Sequence, residues 1–148
     1  MTISTLKYDK LGKPKITKYR IVALGNLDKY EWTKSNCYAP VMNLLELSLL
    51  TALSIRAKRK LKCGDVKQAF VQALLPDDEQ YVLYQPAGCP ISKPNTYWLL
   101  KRTLYGLKRS PKHWYDKAVN LLTSVGLTQC KNSPCYFTGH IIPGQSPL

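Results

Sequence analysis

A proline directly after a serine, followed by an apolar stripe at helical spacing, constrains this chain more than any other feature. Ser110 stands where an N-cap is wanted and Pro111 at the first helical position, where the missing N–H removes no hydrogen bond. Trp114, Ala118, Leu121, Leu122 and Val125 then fall on one face, and Gly126 is suited to end the helix. A second helix is expected after Pro40, with Val41, Leu44, Leu45, Leu49, Ala52, Leu53 and Arg56 at near-helical spacing. Both faces need something to pack against.

The intervening sequence is β-rich. Residues 18–23 (KYRIVA) read as a strand bounded by the Gly25-Asn26 turn signal, and LKCGD as a short strand that presents Asp65 at its carboxyl end. Asp77, Asp78 and Glu79 after Pro76 mark a turn before YVLYQP, and Asn95 to Arg102 form the next strand. Cys135 to Ile142 make one last strand and a turn. The order strand, helix, three strands, helix, strand predicts an α+β domain, with helices packed on an antiparallel sheet. A final strand without its neighbour would leave an open edge for association with another chain. Residues 1–17 are expected to be a basic, poorly ordered lead-in, and 18–148 the domain proper.

At 148 residues with 45% hydrophobic content, the chain can build one core. Its longest apolar stretch, Val41 to Ile55, is interrupted by Asn43, Glu46, Ser48, Thr51 and Ser54, which excludes a membrane span there. The start MTISTLKYDK lacks the order of a signal peptide, so the expected location is intracellular, cytoplasmic or nuclear. Five cysteines, an odd number with no C-x-x-C, suggest reduced thiols, and His113 and His140 are too far apart for a local metal pair.

The net charge of +13 favours an anionic partner, with nucleic acid as the leading candidate. The charge is clustered. Arg56, Lys58, Arg59, Lys60 and Lys62 form one run, while Lys101, Arg102, Lys108, Arg109, Lys112 and Lys117 face only Asp116 in theirs.

Three stretches together resemble the reverse transcriptase of copia-type long-terminal-repeat retrotransposons. They are KYRIVALGN with YAPVMNLLELSLLTAL, then DVKQAFVQALLPDDEQYVLYQPAGC, and YWLLKRTLYGLKRSPKHWYDKAVNLLTSVGL, of which LYGLKRSPKHWY is the most specific. The resemblance implies the fingers and first half of the palm of a polymerase that adds deoxynucleotides to a primer on an RNA or DNA template, using Mg²⁺ or Mn²⁺. Nucleotide addition needs two divalent cations held by carboxylates.

The resemblance makes Asp65 one of those carboxylates and the Val66 carbonyl a secondary metal contact. It makes Phe70 the steric gate, a flat ring that leaves no room for a 2′-hydroxyl. Lys18 and Arg20 match basic residues that clamp the incoming triphosphate, and Tyr105 and Gly106 the turn approaching template and nucleotide. Lys108, Arg109 and Lys112 would meet backbone phosphates at the mouth of the second helix. From the residues alone, Asp65 reads as a turn or helix cap, Phe70 and Trp114 as core, and Arg20 as an exposed strand residue.

The family's following hairpin, with Tyr-hydrophobic-Asp-Asp, has no counterpart here. Asp77-Asp78 lies in an acidic loop without flanking hydrophobics, and Leu24 stands where many relatives carry a second basic residue. With one carboxylate of three, the metal site is expected to be incomplete and the chain inactive by itself. The alternatives are a non-catalytic nucleic-acid-binding module and an interaction protein that pairs its sheet edge with a relative.

Overall fold

The chain opens with an antiparallel hairpin, β1 (Thr2–Tyr8) and β2 (Pro14–Ile21), in the computed structural model, which describes residues 1–86 and 96–139. Arg20 lies opposite Ile3 and Lys18 opposite Thr5, and the register slips between Lys7 and Tyr8. Asp9 makes the turn: its Oδ1 accepts the N–H groups of Leu11 at 2.8 Å and Lys13 at 2.9 Å, while Gly12 takes φ +74°. This hairpin occupies most of the stretch 1–17 expected to be a lead-in and continues into residues assigned to the domain proper. Its β1 strand, TISTLKY, carries β-branched and aromatic residues that the basic composition obscured.

A 3-10 turn (Gly25–Leu27) and the short helix α1 (Lys34–Cys37) lead to α2 (Leu44–Arg56). Pro40 does not start α2. Asn43 does, through a capping box: its side chain accepts the Glu46 N–H at 2.8 Å, and the Glu46 carboxylate accepts the Asn43 N–H at 3.1 Å. These reciprocal bonds satisfy two end donors, which an upstream proline cannot do.

The strand expected to end at Asp65 is absent, and residues 57–68 have no regular structure apart from a turn at each end. Lys58 and Gln68, at either end, adopt left-handed φ values of 52° and 53°. Leu61 and Val66 remain exposed, with no neighbouring strand to pair. The chain then forms α3 (Ala69–Gln72), β3 (Val82–Tyr84), β4 (Tyr97–Leu99) and α4 (Ser110–Ser124). Strand β3 pairs antiparallel with β4, with Leu83 opposite Trp98. Gly126, at φ 92°, turns α4 into β5 (Leu127–Gln129), which pairs antiparallel with β6 (Phe137–Gly139). The last expected strand therefore has a neighbour, one too short to stand out in the sequence. Cys89, Asn95 and His140 to Ile142 fall outside the described residues.

The result is α+β, built among the described residues from three separate two-stranded antiparallel sheets rather than one. Among the described residues, no helix is long and apolar enough to cross a membrane. The buried residues Ala23, Gly25, Ala73, Thr103, Leu107 and Ser110 gather about the turn into α4. Elsewhere the packing is open. Large apolar side chains such as Val41, Leu44, Leu45 and Tyr84 stay exposed.

Candidate functional site

Thr103 ties two halves of the site together. Its N–H donates to the Ala73 carbonyl at 3.0 Å and its hydroxyl donates to the Phe70 carbonyl, with the side chain 1% exposed. Both carbonyls belong to the end of α3, which is thereby fixed against the strand leading to the Tyr105 turn. Leu75 N–H to Lys101 O at 3.2 Å continues the same ladder. The Phe70 and Tyr105 rings then lie 5.1 Å apart at 56°, an ordinary tilted aromatic contact.

Backbone crowding holds the other side of the turn. The Ala23 N–H donates to Tyr105 O at 2.7 Å, so the chain leaving β2 rests on the turn. A Cβ at Gly106, whose φ is +93°, would sit 2.0 Å from Ala23 O, and one at Gly25 would sit 2.0 Å from Gly106 O. Two glycines are required where the two backbones cross.

Ser110 is the first helical residue of α4 rather than its N-cap. Arg109 takes the cap position without a side-chain bond, because the Ser110 hydroxyl turns back and donates to Leu104 O at 2.6 Å. The serine therefore closes the turn that carries Tyr105 and Gly106.

The basic residues at the mouth of α4 divide. Lys108 is exposed. Arg109 pairs with Glu79, donates to Asn36 O at 3.2 Å, and lies 5.5 Å from the centre of the Trp32 ring. Glu79, 8% exposed, also meets His113 Nε2 at 3.0 Å, and Trp32 donates to Asp28 Oδ2 at 2.7 Å. Lys112 pairs with Asp116 one turn along α4 and lies 5.9 Å from the Tyr115 ring. Neighbouring Tyr81 has its hydroxyl pushed up to about 12, first by burial and then by the negative charges of Glu79 and Asp28.

Asp65 and Val66 lie in the exposed irregular segment before α3, while Lys18 and Arg20 project from the exposed hairpin. The structure thus brings the Phe70 ring against Tyr105, next to Gly106, and shows no hydrogen bond, ion pair or ring contact between them and Asp65, Val66, Lys18 or Arg20. Sequence reasoning missed Thr103 and Glu79. A lone threonine in a β-rich run carries no signal, and Glu79 lay in a loop read only as acidic.

The chain belongs to the reverse transcriptase (RNA-dependent DNA polymerase) family, whose model matches residues 2–140, hairpin included. It is similar, at 27% identity over 135 residues, to the Retrovirus-related Pol polyprotein from transposon RE1 of Arabidopsis thaliana, covering 91% of this chain and 9% of that protein. The corresponding polyprotein from transposon TNT 1-94 of Nicotiana tabacum is 27% identical over 134 residues, covering 88% of this chain and 10% of that protein. The chain spans about a tenth of the length of these curated relatives. No solved structure gives a significant match.

The family uses divalent metal ions, and the described residues do not fit a two-metal site. Asp65 is exposed, and no three His, Cys, Asp or Glu side chains gather to hold an ion among the described residues.

Proposed function

We propose that this chain supplies part of the nucleotide-facing wall of a retrotransposon RNA-directed DNA polymerase, comprising fingers and part of the palm, and does not polymerise by itself. The contact of Phe70 with Tyr105 carries the reading, because it brings the residue proposed as the steric gate against the turn proposed to approach the template. Thr103 fixes the backbone beneath the first ring and Ala23 fixes that beneath the second, so neither depends on substrate for its position. In this reading Lys18 and Arg20 clamp the triphosphate, and Lys108, exposed and cationic, meets template-primer phosphates. Asp65 is one of the three carboxylates the chemistry requires, with the Val66 carbonyl beside it, and no catalytic step runs on it alone.

Two measurements test this. Purified protein with template-primer, deoxynucleotides and Mg²⁺ or Mn²⁺ should give no primer extension; template-dependent extension abolished by Asp65→Asn would overturn the inactivity. Deoxynucleoside triphosphate should shift the NMR amide signals of Phe70, Tyr105 and Gly106. Unmoved signals at saturating nucleotide would overturn the nucleotide-facing role.

A second reading, a basic module that binds nucleic acid without catalysis, is favoured by the +13 charge. A protein neutralising about five phosphates of duplex DNA would show a log-log salt slope of roughly −4 to −5. Salt-insensitive binding would count against it.

A further inference from the structure

Arg102 and Lys117 converge on one oxygen. Arg102 Nη1 donates to Gln72 O at 3.1 Å and Lys117 Nζ donates to the same atom at 2.9 Å, which holds the two cations within about 6 Å of each other. They come from different elements: Arg102 from the extended chain before the Tyr105 turn, and Lys117 from the second turn of α4. Neither has a carboxylate within ion-pair distance among the described residues.

The contrast with their neighbours is informative. Arg109 is paired with Glu79 and Lys112 with Asp116, so each of those cations already faces an anion. A neutral carbonyl accepts one bond from each of two donors through its two lone pairs, but it cannot neutralise two unit charges. Two cations held this close repel unless an anion sits between them. Arginine offers five N–H donors and lysine three, so both keep donors beyond the one given to Gln72. Arg102 is exposed, which leaves the pair open to a ligand. It also precedes Thr103, the residue that fixes Phe70, so the pair is rigidly connected to the Phe70 and Tyr105 rings.

We propose that Arg102 and Lys117 together bind a phosphodiester group of a nucleic-acid backbone at the carbonyl end of α3. The proposal rests on the nucleic-acid reading above. It moves the strongest phosphate contact from the neutralised Arg109 and Lys112 to a pair that no motif indicates.

The experiment is the salt dependence of duplex DNA binding by the full 148-residue chain. Arg102→Gln and Lys117→Gln keep a donor for Gln72 O and remove the charge, so each should lower affinity at low salt and flatten the log-log slope by up to about 0.9. Arg102→Lys and Lys117→Arg keep the charge and should retain the slope. Lys112→Gln removes an equal charge from the same helix and should cost less than Lys117→Gln. Circular dichroism of each variant confirms that the fold persists. Equal losses at Lys112 and Lys117, or an unchanged slope in the double glutamine variant of a wild type that binds, would overturn the pair while leaving nucleic-acid binding intact. Weakened deoxynucleoside triphosphate binding with duplex binding unchanged would also overturn it, in favour of a nucleotide phosphate. A wild-type chain that binds no duplex at low salt would overturn the pair and the reading beneath it together.

Discussion

The Phe70 ring lies 5.1 Å from the Tyr105 ring because Thr103, two residues before the tyrosine, hydrogen-bonds the phenylalanine's own carbonyl. A buried hydroxyl far along the chain thus sets the aromatic contact. The short helix α3 has no side-chain cap of its own and takes its position from this bond and from Arg102 and Lys117 on Gln72 O.

Thr103→Val keeps the shape of the side chain and removes one of the two donors to the Phe70 carbonyl, which keeps the Ala73 N–H at 3.1 Å. The expected loss is about 0.5–1.5 kcal/mol of unfolding free energy, read by urea denaturation, with Thr103→Ser recovering most of it. A valine variant as stable as wild type would show that the bond has no net value.

Gly106→Ala meets two obstacles at once, a φ of +93° and a Cβ 2.0 Å from the Ala23 carbonyl oxygen. Gly12→Ala meets only a φ of +74°, with nothing within 4 Å. The second substitution should cost about 1 kcal/mol and the first clearly more, because the backbones must part. Paired thermal melts decide it, and equal losses would mean the crossing gives way without cost.

Tyr81 makes stability depend on alkaline pH. Its folded-state value, about 12, lies above the ordinary 10.0. The unfolded chain therefore releases this proton first as pH rises, so the contribution is complete below pH 10 and lost on the way to about 12. Tyr81→Phe should weaken that part of the alkaline decline in a denaturation series from pH 9 upward. An identical decline in the variant would assign it to other tyrosines and lysines.

Helix α2 buries none of its residues, and its Leu44 and Leu45 are 77% and 80% exposed. Leu45→Lys removes apolar surface without creating a cavity, so its effect on unfolding should stay within about 0.5 kcal/mol while self-association falls. Light scattering against concentration measures the second effect. Unchanged association would direct attention to the outer edges of the short sheets instead.

Much of this was legible in order along the chain. The stripe from Trp114 to Val125 with Gly126 behind it fixes α4, the Leu44 to Arg56 pattern fixes α2, and LYGLKRSPKHWY carries the family, because helical period and short motifs are local properties. Which groups meet is not local. Ser110 could cap α4 or close the Leu104 turn, and the nearness of the Leu104 carbonyl chose the turn. Pro40 and Asn43 could each start α2, and only Asn43 has a partner in Glu46. Arg109 and Lys117 are alike as cations in the sequence. Glu79 reaches one and no carboxylate among the described residues reaches the other, since a charge is neutralised by whatever the fold brings within a few ångströms and not by its neighbours in the chain.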